Sequence, residues 1–281
     1  ENLNVDDLRE KLSSLGDSLV VAGSQKTIRI HIHTDQPDEV FKYLDERARI
    51  AEQKVDDMRR QFEAVNHRKY PIAIVTDSIA DLPVELIDHY QIHQIPINLH
   101  MNDSDYLDKV TIQSNRFYEL MDSLKVYPTS AQPTVKSLTN FFSFLTTYYK
   151  HILVITVSEK MSGTYQAFNE AAKQFKDRDI RVINSKQNSG AEGLLVLKAA
   201  ELIDQGLSMN AVTEKIEALT TQSKILVSVK VLKYMMRSGR LTKVSGTIAK
   251  LMHLKPVISI DETGAGIIFS KALSTQSADK K

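Results

Sequence analysis

Small hydroxyl side chains recur in this chain where a β-strand should hand over to a helix. Three segments stand out: Thr76-Asp77-Ser78, Thr129-Ser130-Ala131-Gln132-Pro133 and Ser162-Gly163-Thr164-Tyr165. At such points of an α/β sheet, helix N-termini expose unpaired N–H groups and the helix dipole favours an anion. Hydroxyls gathered there suit a carboxylate or a phosphate, and Gly163 lets the backbone approach a ligand closely. No strong general base accompanies them, so binding is expected before chemistry. Asp77 and Ser78 read equally well as an ordinary N-cap. A nucleophilic Ser162 would need a histidine oriented by an acid. None of the eight histidines sits in such a motif, and no nucleophile elbow with flanking glycines is present. An enzyme of the serine hydrolase or transferase type, acting through Ser162, stands as the alternative.

Two further groups could carry chemistry. Arg237 and Arg240, in Met235-Met236-Arg237-Ser238-Gly239-Arg240, could bring cations to a cleft, where arginine suits carboxylate and phosphate; solvated surface arginines explain them equally well. His31 and His33 fall on one face of a strand, because side chains alternate with period two, and form a candidate metal pair. Two imidazoles do not complete a site, and packing or surface histidines explain them better.

The bulk numbers bound the class. The chain has 281 residues, room for about two domains, with 42% hydrophobic and 25% charged residues, as in ordinary globular proteins. A formal net charge of +1 gives no sign of a nucleic-acid footprint or a polybasic membrane patch. There are no cysteines, which excludes disulfide and thiolate chemistry and fits a cytoplasmic location. No apolar run has the length of a transmembrane helix, and no signal peptide is visible. The start at Glu1 and the stop in a charged stretch read as a piece of a longer polypeptide.

The elements that must position these residues follow from periodicity. A helix over 5–15, strands over 19–22 and 27–33, a helix from Pro37 and a strand over 50–55 make a small α+β module, ferredoxin-like but without an opening strand. A charged, helical connector covers 56–68. The buried run Ile72-Ala73-Ile74-Val75 then opens an alternation of strands (70–76, 92–99, 152–157, 180–183) and helices (83–90, 115–124, 135–149, 163–175, 190–204). This alternation predicts a doubly wound parallel α/β lobe whose ligands sit beyond the carboxyl ends of the strands. From about residue 209 the pattern changes: a helix over 209–220, a strand over 225–229, helices around Tyr234 and over 243–253, and strands over 255–260 and 266–270 around an Asp261-Glu262-Thr263-Gly264 turn. The expected segmentation is 1–66, 67–206 and 207–281, the last being part of a second α/β lobe.

With these segments together, the stretch from Tyr70 onward resembles the DegV family of bacterial fatty-acid-binding proteins, the acyl carriers of fatty-acid kinase. The carrying motifs are the nine residues from Val75 to Pro83, Pro128-Thr129-Ser130-Ala131-Gln132-Pro133, Ser158 through Gln166, Leu232 through Leu241, and Lys255-Pro256-Val257-Ile258. The resemblance implies two α/β lobes with a fatty acid between them. It implies a carboxylate held by Ser130 and Ser162, with Thr129, Gly163 and Thr164 as neighbours and Thr76, Asp77, Ser78 and Gln132 lining the cleft. The family's Thr-Ser-Gln-Pro is here Thr-Ser-Ala-Gln-Pro, which leaves open whether Thr129 or Ser130 makes the contact. The family's C-terminal histidine and Gly-rich end have no counterpart here, which implies an incomplete second lobe.

The first 66 residues resemble instead the middle domain of the catalytic component of fatty-acid kinase, through Leu15-Gly16-Asp17-Ser18-Leu19-Val20-Val21, Ile30-His31-Ile32-His33-Thr34 and Asp57-Met58-Arg59. In that family the two histidines join an upstream cysteine around zinc. His31 and His33 would thus be ligands of a zinc site lacking a member here, with no other cofactor in this chain. Together the resemblances imply a carrier that binds a long-chain fatty acid and presents it to a dihydroxyacetone-kinase-like nucleotide domain, in cis or in trans, for acyl-phosphate formation. Arg237 and Arg240 would face the kinase. On this reading the chain is a lipid-binding part of a kinase fusion, not a catalyst by itself; a regulatory module without lipid is a further alternative.

Overall fold

A computed structural model describes residues 4–24, 26–121, 123–124, 126–229, 233–240 and 255–272. In chain order the elements are α1 (Val5–Leu12), β1 (Asp17–Gly23), β2 (Ile28–His33), α2 (Pro37–Asp45), α3 (Met58–Asn66), β3 (Ile72–Asp77), α4 (Val84–His89), β4 (His93–Ile95), β5 (Asn98–Met101) and β6 (Ser104–Leu107). They continue with α5 (Ser114–Met121), β7 (Thr129–Ala131), α6 (Val135–Tyr148), β8 (His151–Thr156), α7 (Thr164–Ala172), β9 (Asp179–Asn184), α8 (Ser189–Asp204), α9 (Met209–Thr220), β10 (Leu226–Ser228), α10 (Lys233–Arg237), β11 (Lys255–Ile260) and β12 (Gly266–Ala272). The helix expected over 243–253 lies outside the described residues. The chain divides into two compact units, 1–55 with 96–131, and 56–95 with 132–281.

The first unit contains the small N-terminal module. Asn4 caps α1 by accepting from the Asp6 N–H, and Leu8 and Leu12 turn inward to meet Val40 of α2. β1 and β2 form an antiparallel hairpin whose exit needs Gly23, at φ +141°. Pro37 sits in the first turn of α2, where its missing N–H costs nothing. The strand expected over 50–55 is not formed: residues 50–57 carry no regular structure. Glu52, Gln53 and Lys54 give that stretch no apolar face, and Gln53 is engaged by a side-chain hydrogen bond to Thr111 instead. Among the described residues the module is therefore α-β-β-α.

The same unit holds a second, antiparallel sheet in the order β6-β5-β7. The strand expected over 92–99 is in fact two. β4 stays in the parallel sheet, Pro96 supplies no ladder N–H, and β5 begins a different sheet. The extended loop expected around Thr129 pairs with β5 as β7.

The second unit is the doubly wound lobe. Its parallel strands run in the order β4-β3-β8-β9, so the first and third strands of this sheet in chain order are neighbours. Side chains alternate between the two faces. Ile72, Ile74, Leu153 and Ile155 pack with Leu195, Val196, Ala199, Val212 and Ile216 of α8 and α9. Ala73, Val75, Ile152 and Val154 pack on the other face with Phe142, Leu145 and Phe168 of α6 and α7 and with Ala64 of α3. Both faces are covered, as a parallel sheet requires. β10, β11 and β12 form a small antiparallel sheet within this unit.

Candidate anion-binding edge

The direction of chain winding reverses between β3 and β8. Crevices at the carboxyl ends of strands flanking such a reversal are where ligands of doubly wound sheets bind. Here those ends are Thr76-Asp77-Ser78 and the segment 157–164. Asp77 ties them together. Its Oδ2 accepts from the Val157 N–H at 2.9 Å, and its Oδ1 accepts from the Ile79 N–H at 3.0 Å. Thr76, Asp77 and Ser78, expected to line a cleft, are all buried. Asp77 thus holds backbone in place, since a fully buried carboxylate is stable only when hydrogen-bonded. The Thr76 hydroxyl is buried without a partner among the described residues.

Ser162 lies half-buried just before α7. Its Oγ is 2.8 Å from the Thr164 hydroxyl and accepts from the Thr164 N–H at 3.3 Å. This local pairing holds the serine over the helix N-terminus. Gly163 admits a close approach. A Cβ there would lie 1.7 Å from Oε1 of Gln132, so the Gln132 side chain is seated directly on the Gly163 backbone. Gln132 and the Ser-Gly-Thr turn, both in the second unit, are thereby brought together. Arg240 approaches the same turn, its Nε donating to the Met161 carbonyl at 3.4 Å. Arg237 ends α10, three residues away in sequence.

Thr129 and Ser130 belong to the other unit. β7 pairs with β5 so that Ser130 stands opposite Leu99 and Thr129 opposite His100. Opposed residues share a sheet face and neighbours alternate, so the two hydroxyls are on opposite faces. Ser130 is half-buried on the Leu99 face; Thr129 is exposed on the face of His100 and Asp105, which form an ion-pair contact.

Sequence reasoning did not single out Ser158, Tyr106 or Asp45. Ser158 is fully buried; its Oγ donates to the Gly264 carbonyl at 2.7 Å and accepts from the Lys160 N–H at 3.2 Å. It was visible within the 158–166 motif. The electrostatic coupling of Tyr106 to Asp45 joins residues far apart in sequence and leaves no local signal.

His31 and His33 do share a strand, their ring centroids 5.0 Å apart, and His33 Nδ1 lies 3.6 Å from Asp17 Oδ1. Among the described residues no group of three or more histidines and acids could hold a metal. The residues present do not fit a zinc ion by themselves, and no step is assigned to one.

The fold is that of a doubly wound α/β protein, with the Ser162 and Thr164 hydroxyls and Arg240 meeting at its candidate edge. The DegV family model, described as an uncharacterised protein family, matches residues 71–281, and the chain belongs to the DegV family. Residues 1–65 match the FakA-like middle domain of fatty acid kinase. A DegV domain-containing protein of Clostridium acetobutylicum is 30% identical over 212 residues, 75% of each chain. Among solved structures, the fatty acid binding protein DegV of Bacillus subtilis is 28% identical with TM-score 0.69, covering 75% of each chain. A DegV family protein of Thermus thermophilus, described by its fatty acid binding, is 27% identical with TM-score 0.68, covering 74% of each. The Fatty Acid Kinase B3 protein of Streptococcus pneumoniae, loaded with linoleic acid, is 25% identical with TM-score 0.65, covering 74% of this chain and 75% of that one. Among the described residues no helix is long and apolar enough to cross a membrane.

Proposed function

We propose that this chain binds a long-chain fatty acid and presents its carboxylate to a fatty-acid kinase. The observation that carries this reading is the Ser162-Gly163-Thr164 turn at the reversal point of the sheet, with Arg240 beside it, in a family whose similar structures hold fatty acids. Ser162 Oγ would donate to the carboxylate, and the Thr164 hydroxyl holds that Oγ in place. A charge-assisted hydrogen bond of this kind contributes about 1.5–3 kcal/mol. Thr129 and Ser130 are the resemblance's candidates for a second hydroxyl; Thr129 is the more exposed of the two. The acyl tail supplies most of the affinity, at about 0.8 kcal/mol per buried methylene. Arg240, and Arg237 near it in sequence, suit the phosphate of an acyl phosphate or the docking kinase. The N-terminal module, similar to a kinase middle domain, supports a kinase partner in cis or in trans.

The test is native mass spectrometry of the purified full chain with lipid extraction, alongside palmitate titration of the Ser162→Ala variant. A co-purifying acid of about C16–C18 and a tenfold weaker variant, roughly the share of one charged hydrogen bond, are expected. Repeated preparations without lipid and without measurable palmitate binding would overturn the reading. The serine-enzyme alternative finds no support in the geometry. Among the described residues, the Ser162 hydroxyl pairs with Thr164 and with no histidine.

A further inference from the structure

The segment that matches the kinase middle domain and the hairpin that carries Thr129 and Ser130 belong to one compact unit, although different family models match them. Their contact is specific. Phe41 of α2 packs into a cluster built on Met101, Tyr106 and Ile112, joined by Leu99, Phe117 and Leu120. Burial raises the pKa of the Tyr106 hydroxyl, on a side chain only 4% exposed, and the Asp45 carboxylate, one turn further along α2, adds to that rise. Arg49 Nε donates to the Asp103 carbonyl at 2.9 Å, at the β5–β6 turn. The Thr111 hydroxyl donates to Gln53 Oε1 at 3.1 Å while accepting from the Leu107 N–H at 2.7 Å. Every fourth residue from 41 to 53 thus meets the hairpin or the turn that follows it.

The strand register carries this contact to the head-group residues. Tyr106 on β6 stands opposite Leu99 on β5, which stands opposite Ser130 on β7. These three share one face, the face that Phe41 covers, and Thr129 points the other way. The strands are four, four and three residues long. A sheet that short is not stable alone and needs a packed face to hold its register. Part of that packing comes from α2.

We propose that the N-terminal module is an intramolecular clamp on the β5–β6–β7 sheet, in which Phe41 packed on Tyr106, with the Arg49 and Gln53 hydrogen bonds beyond it, fixes the strand that carries Thr129 and Ser130. Phe41, Arg49 and Gln53 are positioning residues: they touch no ligand and act through the sheet. The clamp itself does not require the fatty-acid reading; its effect on head-group binding rests on that reading.

The test uses the full chain with Phe41→Ala, Phe41→Leu and the double variant Arg49→Ala with Gln53→Ala. The double variant removes only two hydrogen bonds to the hairpin and the turn after it, so a folded variant is available even where Phe41→Ala fails to fold. Amide hydrogen exchange is read at 98–101 and 129–131, with 72–77 and 151–156 of the other unit as internal reference. Phe41→Ala and the double variant are expected to speed exchange at 129–131 about tenfold and leave the reference strands unchanged, whereas Phe41→Leu, which keeps a large apolar side chain, should retain slow exchange. In parallel, affinities for palmitate and for hexadecanol are compared. Loss of the clamp should weaken palmitate several-fold and leave the alcohol unaffected, whereas general destabilisation would move both. Unchanged exchange at 129–131 in the double variant, and in Phe41→Ala where it folds, overturns the clamp. Faster exchange with an unchanged palmitate-to-alcohol ratio overturns its role in head-group positioning. If the parent chain binds no palmitate, the fatty-acid reading falls, and the exchange data still decide the clamp.

Discussion

The Ser158 hydroxyl donates a 2.7 Å hydrogen bond to the carbonyl of Gly264, joining the end of the parallel sheet to the turn of the β11–β12 hairpin. The partner is a glycine for two reasons. Its φ is +91°, which L side chains rarely adopt, and a Cβ there would lie 2.2 Å from Ser158 Oγ. The turn is further fixed by Asp261, whose Oδ1 accepts from the Thr263 and Ala265 N–H groups and the Thr263 hydroxyl.

Gly264→Ala should therefore destabilise the protein by about 2 kcal/mol or more, adding left-handed backbone strain to a displaced hydrogen bond. Ser158→Ala should cost about 1 kcal/mol, and the double variant less than the sum, because the alanine at 158 relieves the clash. Urea denaturation of the three variants measures this; strict additivity would mean that the two residues do not act on each other.

Gly163→Ala tests the seat of Gln132. The backbone at 163, with φ −74°, tolerates alanine, so the whole effect comes from the 1.7 Å encounter with Gln132 Oε1. Palmitate binding should weaken about tenfold or more, as the displaced glutamine disturbs the turn that holds Ser162. Trimming the obstacle, in Gly163→Ala with Gln132→Ala, should recover stability. Equal melting temperatures for the single and double variants would contradict this.

His93 gives the lobe an acid limit. Its ring is buried between Phe141 and Tyr149, and Nε2 has no partner among the described residues. Burial, with the charge of Arg60 adding to it, pushes the imidazole from 6.5 down to about 3. The unfolded chain takes up a proton below about pH 6.5 that the folded chain refuses until about pH 3. Stability is thus lost as the pH falls through that window, by up to about 1.4 kcal/mol per unit. His93→Leu should remove this slope, seen as a stability difference between variant and parent that grows from pH 7 to pH 4. A constant difference would show that the residue does not titrate on unfolding.

Phe142, fully buried, meets Phe168 and Phe175 at ring distances of 5.9 and 6.0 Å on one face of the sheet. Phe142→Ala should cost about 3–5 kcal/mol in equilibrium unfolding. A cost under about 1 kcal/mol would mean that the α6–α7 layer closes over the gap.

The parallel lobe was readable because its strands are buried on both sides. Runs such as Ile72-Ala73-Ile74-Val75 and Ile152-Leu153-Val154-Ile155 leave few alternatives, and hydroxyls at their ends mark the candidate edge. Ser162, Gly163 and Thr164 could be named for the same reason. The β5–β6–β7 sheet was not readable. Ser104–Leu107 is four mostly polar residues, and only Pro96 hinted that the strand after His93 must break. Tyr106 and Asp45 escaped because their coupling is long-range and leaves no periodic trace. Asp77 was singled out by its position at the strand end, and its carboxylate accepts from two backbone amides that no sequence pattern announces.

The backbone passes between the two compact units three times, after residues 55, 95 and 131. The seam between the two family matches, at 65–71, coincides with none of these crossings. A cut there would sever a shared interior: Met101, Tyr106 and Ile112 would lose the phenylalanine that shields them from water. Neither half can be treated as an interchangeable cassette. Any transplant of the β5–β6–β7 hairpin into another chain must move residues 37–55 along with it.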